Sequence, residues 1–551
     1  MWEETKLAPM STLRPRARHK SPSARRVKRF FAVIGLVLSA ALGMSAWSLS
    51  TAVGGAPDDD FHLSSMWCTS FGGDDCEFDP EGNGVMIPPP LLVSSYCLYH
   101  NPAQSAGCQP FLDGTDPRED FAFGHNNPMR NLYPDGFYQT GNLFKSDNIE
   151  TTVMLFRTLN IGIFLTLTFG LLFLLPSRLR LTAAWMWPIG LIPLGMFLIP
   201  STNPSSWAII AVGTGWLAML GYLEARGWRS WALGGVYLVS VLLATSSRID
   251  SILYLGFATL LALWQSPENF RAIARKTWIP AAAALFVLFR LITNPGNLER
   301  IIGGVSTRGD DGESLPWATS AETLIPGQFD WALLWNNMWN VPGLWTGVFG
   351  GRPLGSLGWL DTALPQIVFF GVAASLLGLI FVAVRNPGRK KAVSLAAVLF
   401  ALWAIPVYLL QISGAQAGEE FQPRYLVPLM VVAVGTIVLT ADGKPLISDR
   451  FRLTLIAVGL TLANSIALHA NIRRYVTGNL VEGLNLNTPR EWWWMFLPEL
   501  ITPNVVWAVG SIAFGLVAWW AFVRLPGRTL RLDTGAGLLK SNSTQPATSL
   551  K

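Results

Sequence analysis

Long apolar segments recur along the whole chain, and they restrict its fold more than any other feature. The first, residues 30–50, is long enough to cross the roughly 30 Å hydrocarbon core of a bilayer as a helix, and many more apolar segments follow. Of the 551 residues, 51% are hydrophobic and only 14% are charged, which is typical of an integral membrane protein. The sequence therefore predicts an all-α polytopic membrane protein with about 12 transmembrane helices. The predicted spans are residues 30–50, 153–175, 182–200, 206–223, 230–246, 249–265, 278–293, 363–384, 392–411, 424–440, 453–470 and 503–523.

Basic residues indicate which way the chain crosses the membrane. Cytoplasmic loops carry an excess of Lys and Arg, and an N-terminus in the cytoplasm puts every basic short loop on that side. These segments are "SRLR", "EARGWR", "ENFRAIARK", "RNPGRKK", "DGKPLISDRFR" and "RLPGRTLR". We expect a disordered basic cytoplasmic tail over 1–28, a transmembrane domain over 29–525 and a cytoplasmic tail over 526–551. The formal charge of +6 suits anionic lipid head groups, and no basic stripe suits nucleic acid.

All long loops fall on the extracytoplasmic side in this topology. They cover residues 51–151, 294–362 and 471–502, and their length predicts short interfacial helices. In the second loop, Trp331, Trp335 and Trp339 recur every four residues and would share one helix face. An interfacial anchor is the favoured interpretation, with a sugar-stacking surface as the alternative. The stretch "EWWWMFLPEL" in the third loop invites the same two interpretations.

The four cysteines lie together in the first long loop. Cys68, Cys76, Cys97 and Cys108 form an even set confined to one predicted extracytoplasmic segment. This pattern favours two disulfides in an oxidising compartment, with three connectivities that the sequence leaves open. Free thiols or a metal site are the alternatives, but no CxxC pair is present.

An acidic cluster follows the first predicted span in the stretch "GGAPDDDFHLSS". Asp58, Asp59 and Asp60 stand in a row, and His62 would share a helix face with the first two. Like charges this close raise one another's proton affinity, so the cluster needs a function or ample water to offset its cost. A general base, a ligand set for Mg or Mn, and a solvated helix cap all fit.

Arginines beside predicted spans form a second group of candidates. Arg157 lies within the second span, Arg248 and Asp250 lie at an outer turn, and Arg424 opens the tenth span. Charges at membrane depth are usually paired or functional. Arg248 and Asp250 form either a surface pair or part of a site. A guanidinium such as that of Arg424 can bind a phosphate bidentately, and a pair with Glu419 or Glu420 is the alternative.

Signatures of nucleotide-dependent and hydrolytic enzymes are absent from the sequence. There is no G-x-x-x-x-G-K-[ST], G-x-S-x-G or H-E-x-x-H motif, and no soluble nucleotide-sugar domain. A substrate used on the outer face must therefore arrive without cytosolic nucleotides. An activated sugar on a polyprenyl phosphate meets this requirement.

Three short stretches resemble a bacterial family of predicted multi-pass membrane proteins. "PDDDFH" resembles its P-D-E-x-x-H motif in the first outer loop, and "GWLDTALP" and "QPRYLVP" are similar to two further stretches in the same order. The family is grouped with the GT-C glycosyltransferases, which use lipid-phosphate sugars. The resemblance covers residues from about 30 to 440 and implies a GT-C-like transmembrane domain.

The resemblance also implies roles for individual residues. Asp58 and Asp59 occupy the acidic pair, so that one is the implied base and the other orients the acceptor or holds a metal. Asp59 replaces a more usual Glu. His62 occupies the position of the family's His. Arg424 occupies the Arg of the family's outer R-Y-x-x-P element. Together with the charges beside the spans, the predicted substrate-binding residues are Arg424, Tyr425, Arg248, Asp361 and Arg157.

These observations predict an inverting membrane glycosyltransferase of the bacterial plasma membrane, with an extracytoplasmic active site. It would move a sugar from a polyprenyl-phosphate donor to a cell-envelope glycan, lipid or protein acceptor. A divalent cation, Mg or Mn, is an open option as cofactor. A flippase or transporter of lipid-linked saccharides is one alternative, disfavoured because the predicted charges lie at the outer rim and not at the midplane. A non-catalytic envelope assembly protein is the other.

Overall fold

The structure is a computed structural model that describes most of the predicted transmembrane domain. The described residues are 22–69, 77–78, 85–87, 89–109, 122–124, 133–293, 329–385, 387–419 and 421–526. Nearly all of both predicted tails, Cys76 and residues 294–328 of the second long loop lie outside them.

Helices form almost all of the described structure. In chain order they are α1 (Pro22–Leu49), α2 (Asp59–Trp67), α3 (Pro89–Tyr96), α4 (Gly136–Asn142), α5 (Ile149–Leu174), α6 (Ser177–Gly190), α7 (Leu194–Leu198), α8 (Ser205–Glu224), α9 (Trp228–Ser247), α10 (Ile249–Gln265), α11 (Phe270–Lys276), α12 (Trp278–Thr293), α13 (Trp331–Val348), α14 (Gln366–Ala383), α15 (Arg389–Ser413), α16 (Val427–Val438), α17 (Arg450–Val476) and α18 (Pro503–Trp519). A 3₁₀ turn, Pro423–Leu426, leads into α16, and a π-helical turn, Trp520–Arg524, extends α18.

Strands are few, short and confined to the loops. An antiparallel sheet joins β1 (Glu77–Phe78), β2 (Val85–Ile87) and β3 (Ala122–Gly124), with Met86 opposite Glu77 and Phe123. A small hairpin joins β4 (Ser356–Leu357) to β5 (Thr362–Ala363). The prediction of an all-α membrane protein is therefore confirmed at the level of fold class.

Eight helices in the described part of the chain are long and apolar enough to cross a membrane. A ninth span results if α11 and α12, which are bent by 46° relative to each other, are counted together. Helices α10 and α16 with its 3₁₀ turn are apolar but shorter. The predicted span 182–200 forms parts of the two helices α6 and α7 instead of one continuous helix, and both are buried inside the bundle. The number of 12 spans stays a prediction.

Helix α8 is the central element of the bundle because it is buried on nearly every side. It packs against α5, α9, α10 and α16. The Trp216 indole donates to Gln265 Oε1 at 3.0 Å, and Gln265 Nε2 donates to Thr436 Oγ1 at 3.2 Å, so that polar contacts link α8, α10 and α16. Satisfying polar groups between helices is necessary where lipid excludes water.

Short basic loops meet at one end of the bundle. Arg178 binds Glu224 at the end of α8 and donates to the Thr440 carbonyl at 2.8 Å. Lys276 donates to the Tyr222 carbonyl at 2.7 Å, and Lys391 to the Leu439 carbonyl at 2.9 Å. These loops are the ones predicted to share the cytoplasmic face. The other end of α8, roughly 30 Å away by helix rise, faces the acidic turn.

The predicted aromatic face of the second loop lies on α13. Trp331, Trp335 and Trp339 are 74%, 62% and 66% exposed. On the opposite face, Asn337 Nδ2 donates to the Ala415 carbonyl at 2.9 Å, which attaches α13 to the end of α15. In the third loop, Trp494 is instead buried and donates to the Leu49 carbonyl at 2.8 Å, so it closes the end of α1.

Close packing around α8 generates the first prediction, which concerns Gly435 in α16. A Cβ at this position would lie 2.4 Å from the buried Trp216 ring. We expect Gly435→Ala to cost about 1–3 kcal/mol, as overpacking of a core does, and to lower the melting temperature of the purified protein. Gly378→Ala in α14 is the control, since its Cβ meets nothing within 4 Å and alanine favours the helix. Equal melting temperatures in both variants would contradict this packing.

Candidate functional site

The acidic turn has a strained backbone that separates its first two aspartates. Asp58 adopts the left-handed conformation, with φ of 58°, immediately before α2. Gly54 also has a positive φ, and a Cβ there would lie 2.6 Å from the backbone of Ser94. The Pro57 carbonyl accepts a hydrogen bond from Asn203 Nδ2 at 2.9 Å. This turn therefore sends neighbouring carboxylates to different partners, which the sequence alone does not show.

Asp59 is buried, and local hydrogen bonds occupy its carboxylate. It accepts from the Ala56 backbone N–H at 2.9 Å and from the Thr202 hydroxyl at 2.5 Å. Burial raises the pKa of this carboxyl from 3.8 to about 7, and the positive charge of Arg157 opposes only part of the rise. Asp59 therefore connects the acidic turn to the segment before α8.

Asp58 is the accessible carboxylate of the pair. Its side chain is 39% exposed, and Oδ2 lies 2.6 Å from Arg424 Nη2. In the described residues, no hydrogen-bond donor is placed on its second oxygen, Oδ1. The structure thus brings together two residues that the sequence analysis had selected independently, one from the acidic turn and one from the turn before α16.

Arg424 keeps unused hydrogen-bonding capacity in a buried position. Its Nη2 binds Asp58 and also lies 3.1 Å from the Tyr425 hydroxyl. Its Nε and Nη1 are buried and have no hydrogen-bond partner within the described structure. Buried N–H groups without partners are costly and rare in native proteins. The predicted alternative pair with Glu419 is not formed, because Glu419 caps the Gln416 backbone N–H; Glu420 lies outside the described residues.

Arg248 adds a second guanidinium beside this pair. Its Nε and Nη2 each lie 2.9 Å from a different oxygen of Asp250, so the predicted pair is present and bidentate. The guanidinium carbon lies 4.3 Å from the centre of the Tyr425 ring and 5.9 Å from that of Tyr133. Tyr425 is also 5.0 Å from the guanidinium carbon of Arg424. One aromatic ring therefore contacts both arginines.

His62 lies on α2 against two tyrosines. Its Nδ1 is 2.9 Å from the Tyr138 hydroxyl, and its Nε2 is buried without a partner in the described structure. The ring stacks on that of Tyr138 and meets Tyr133 edge-on. Burial lowers the pKa of this imidazole to about 3, although the negative charge of Asp58 opposes the shift. His62 is therefore neutral at physiological pH and presents one unused ring nitrogen.

Arg157 lies apart from this group in its hydrogen bonding. Its guanidinium donates to the carbonyls of Ser48, Thr51 and Ala52 at 3.0, 2.6 and 3.0 Å. The Ser48 carbonyl lies in the last turn of α1 and the other two lie just after it, where a helix leaves its last acceptors unsatisfied. Arg157 therefore caps α1, and no contact in the described structure joins it to Arg424.

Asp361 also has a protein partner. It forms a buried ion pair with Arg474 at 2.8 Å. Arg474 in turn donates to the Leu98 carbonyl at 3.0 Å and binds the Gln104 carbonyl. Asp361 therefore fixes the loop after α3, and within the described residues it does not contact Asp58 or Arg424. Its predicted role in binding substrate stays a prediction.

Tyr133 and Tyr138 are site residues that the sequence analysis did not find. Tyr133 and Tyr138 lie 71 and 76 positions after His62 in the chain, yet the Tyr138 hydroxyl is hydrogen-bonded to the His62 ring. Burial raises the pKa of both phenols, so both are neutral at physiological pH. Neither occupies a recognisable motif, and only the fold places them beside His62.

The residues present do not form a metal site between the two aspartates. No group of three or more His, Cys, Asp or Glu side chains within the described residues is arranged to hold a metal ion. Asp58 binds a guanidinium, and Asp59 binds Thr202 and a backbone N–H. Arg424 thus supplies the positive charge that a cation would bring to Asp58.

The disulfide prediction is confirmed for one pair. Cys97 and Cys108 are bonded across 11 positions and close the loop after α3. Cys68, at the end of α2, is also disulfide-bonded, and Cys76 lies outside the described residues.

The raised pKa of Asp59 gives a prediction about pH and stability. The folded protein holds the proton up to about pH 7, whereas the unfolded chain releases it near 3.8. Proton binding by Asp59 therefore stabilises the folded protein. This stabilisation is complete at low pH and is lost as the pH rises towards 7. In Asp59→Asn, we expect the decline in melting temperature over this range to be smaller than in the wild type. Parallel pH profiles for the two proteins would show that Asp59 does not titrate in this way.

A comparison with known proteins assigns the chain to a family. No curated protein and no solved structure matches it. The family described as predicted membrane protein (DUF2142) matches residues 42–433. The match includes Asp58, His62, Arg248 and Arg424 and covers well over half of the chain. The chain therefore belongs to this family of predicted membrane proteins.

Proposed function

We propose that the protein is a membrane glycosyltransferase that moves a sugar from a polyprenyl-phosphate donor to a cell-envelope acceptor. The observation that carries the proposal is the buried Arg424, which holds Asp58 with one nitrogen and keeps Nε and Nη1 without partners among the described residues. This arrangement offers an anion site and a carboxylate side by side. A transferase with a phosphate leaving group needs both.

Phosphate binding is assigned to the Arg424 side of the site. The N–H groups of a guanidinium bind phosphate oxygens strongly, and a partly dehydrated site strengthens the interaction. Arg248, whose guanidinium packs on the Tyr425 ring, adds a second positive charge near the site. Its carboxylate partner Asp250 offsets part of that charge. The phosphate leaves with the electron pair of the broken bond to the sugar, and Arg424 stabilises that developing charge.

Asp58 is assigned as the general base. It is the more accessible aspartate, and Oδ1 receives no hydrogen bond from the described residues. The acceptor hydroxyl gives its proton to Asp58 while its oxygen forms a bond to the anomeric carbon, and the bond to the phosphate oxygen breaks. Direct attack inverts the anomeric configuration. Asp59, which is buried and hydrogen-bonded, positions the turn.

His62 and the surrounding tyrosines are assigned to substrate positioning. A neutral imidazole cannot repel Arg424 or bind phosphate as a cation, but its Nε2 can exchange a hydrogen bond with a sugar hydroxyl. The chemistry proposed here uses no metal step, since Arg424 stands beside Asp58 where a cation would be needed.

The topology supports an extracytoplasmic site. The short basic loops gather at the end of the bundle opposite to Asp58 and Arg424, as the positive-inside rule requires if that end is cytoplasmic. We propose the plasma membrane as the location, with about 12 spans and a GT-C-like arrangement. A donor on a membrane lipid then needs no nucleotide at the site.

The direct test is transfer by the purified full-length protein in nanodiscs, given radiolabelled polyprenyl-phosphate sugars and envelope fractions. We expect Asp58→Asn to reduce transfer by at least about 100-fold, as loss of a general base does, in a protein that stays folded in the membrane because the amide oxygen still accepts from Arg424. Asp442→Asn, an exposed residue at the opposite end, is the control and should transfer normally. Normal transfer by the Asp58 variant would refute the assignment of the base.

Donor binding tests the anion site separately. Arg424→Lys keeps the charge but loses the separate Nε and Nη1 donors, so we expect at least about tenfold weaker binding of polyprenyl phosphate. Arg452→Lys, on an exposed side chain, is the matched control and should bind normally. Unchanged binding by the Arg424 variant would exclude it as the phosphate ligand.

A flippase would give a different result when the purified protein is placed in sealed vesicles with the same radiolabelled lipid-linked sugars and envelope fractions. It would move the lipid-linked sugar between leaflets without attaching label to any acceptor, and Asp58→Asn would leave that movement intact. Label in the acceptor, lost on replacing Asp58, distinguishes the transferase.

A further inference from the structure

Two exposed tyrosines lie at and just after the end of α3, which packs against α2. Tyr96, at the end of α3, and Tyr99, three residues later, are 44% and 41% exposed. After burial, the negative charge of Asp60 is the next cause that raises the pKa of both phenols, and Asp58 contributes at Tyr99. Tyr96 therefore interacts electrostatically with Asp60, and Tyr99 with both Asp60 and Asp58.

The Tyr99 ring rests on a fixed support. It packs edge-on against the buried Trp359, with ring centres 4.7 Å apart. Trp359 in turn donates from its indole N–H to the Gly54 carbonyl at 2.9 Å. One tryptophan therefore joins Tyr99 to the glycine turn that orients Asp58. The arrangement fixes the distance between the tyrosine and the proposed base.

Backbone clamps hold the loop that carries Tyr99. Arg474 binds the carbonyls of Leu98 and Gln104 on both sides of it, and Asp361 holds Arg474 in place. The Cys97–Cys108 disulfide closes the same loop. An exposed loop loses conformational entropy when it is held in this way. Side chains that only face solvent do not require a loop to be held at this entropic cost, so the fixed position of Tyr99 indicates a binding role.

We propose that Tyr96 and Tyr99 form a stacking surface for the acceptor saccharide, with its hydroxyl groups directed to Asp58 and Asp60. A pyranose or furanose ring has a C–H face that is apolar and slightly positive, and it packs on the negative face of an aromatic ring. Its hydroxyls donate to carboxylates, which are strong acceptors. The inference rests on the proposed transferase function and assigns its acceptor class as a glycan, in preference to a peptide or a simple lipid.

This subsite gives Asp361 a positioning role in place of direct substrate contact. The stretch "GWLDTALP" supplies both Trp359 beneath Tyr99 and Asp361 behind the loop. The "PDDDFH" stretch supplies the carboxylates. Two of the three stretches singled out in the sequence thus meet at the proposed acceptor surface, and the third supplies Arg424.

The test is saturation-transfer difference NMR on the full-length protein in nanodiscs, with a panel of hexose and pentose disaccharide methyl glycosides as probes. We expect signals from the C–H protons of one sugar face in the wild type. Tyr99→Ala should reduce them at least about fivefold and Tyr99→Phe less than about twofold, because the phenyl ring retains the stack. Tyr408→Ala, an exposed tyrosine on α15, is the control. No signal in the wild type, or equal signals in Tyr99→Ala, would overturn the subsite.

A second readout separates this proposal from the proposed function. Tyr99→Ala should bind polyprenyl phosphate as the wild type does, and Arg424→Lys should retain the saccharide signal. Loss of both ligands in Tyr99→Ala would mean that the loop is structural and would overturn the subsite. Retained saccharide binding in a protein that never transfers sugar would leave the subsite standing and refute the transferase.

Discussion

The ion pair between Asp58 and Arg424 is the interaction on which the rest of the site depends. It joins two turns 366 positions apart in the chain, one after α1 and one before α16. Removing a charged group from water costs several kcal/mol unless good partners compensate. The partners of Arg424 compensate only part of the cost of burying it, because Nε and Nη1 lack partners among the described residues. We propose that an anionic ligand binds these two nitrogens.

Buried arginines at this end of the bundle have two different functions. Arg157 and Arg474 bind backbone carbonyls, and they fix the end of α1 and the loop after α3. Arg424 binds no backbone carbonyl in the described structure, holds the accessible carboxylate of Asp58, and keeps two unpartnered nitrogens where Arg157 and Arg474 each keep one. Rigid surroundings are required around a functional site, since a carboxylate and a guanidinium act together only when their separation is held. The clamping arginines supply that rigidity without touching the proposed substrate.

The sequence predicted the membrane class and the apolar helices, and it gave Asp58 and Arg424 as candidate site residues, because hydropathy and position relative to the helices carry that information. It could not assign different roles to Asp58 and Asp59, because the two side chains are identical and adjacent. The left-handed backbone at Asp58, which directs the two carboxylates to different partners, is visible only in the fold. It also missed Tyr99, Tyr133 and Tyr138, whose positions follow from long-range packing. Arg157 was selected for its charge within a helix, and its carbonyl partners are visible only in the fold.

The central claim is that Arg424 and Asp58 form a site for a phosphate leaving group beside a general base. The most direct measurement is a cryo-electron microscopy structure of the full-length protein with a polyprenyl-phosphate sugar. The account predicts phosphate oxygens within hydrogen-bond distance of Arg424 Nε or Nη1 and the sugar adjacent to Asp58. A phosphate bound elsewhere, with the Asp58–Arg424 pair unaltered and both nitrogens still unpartnered, would contradict it.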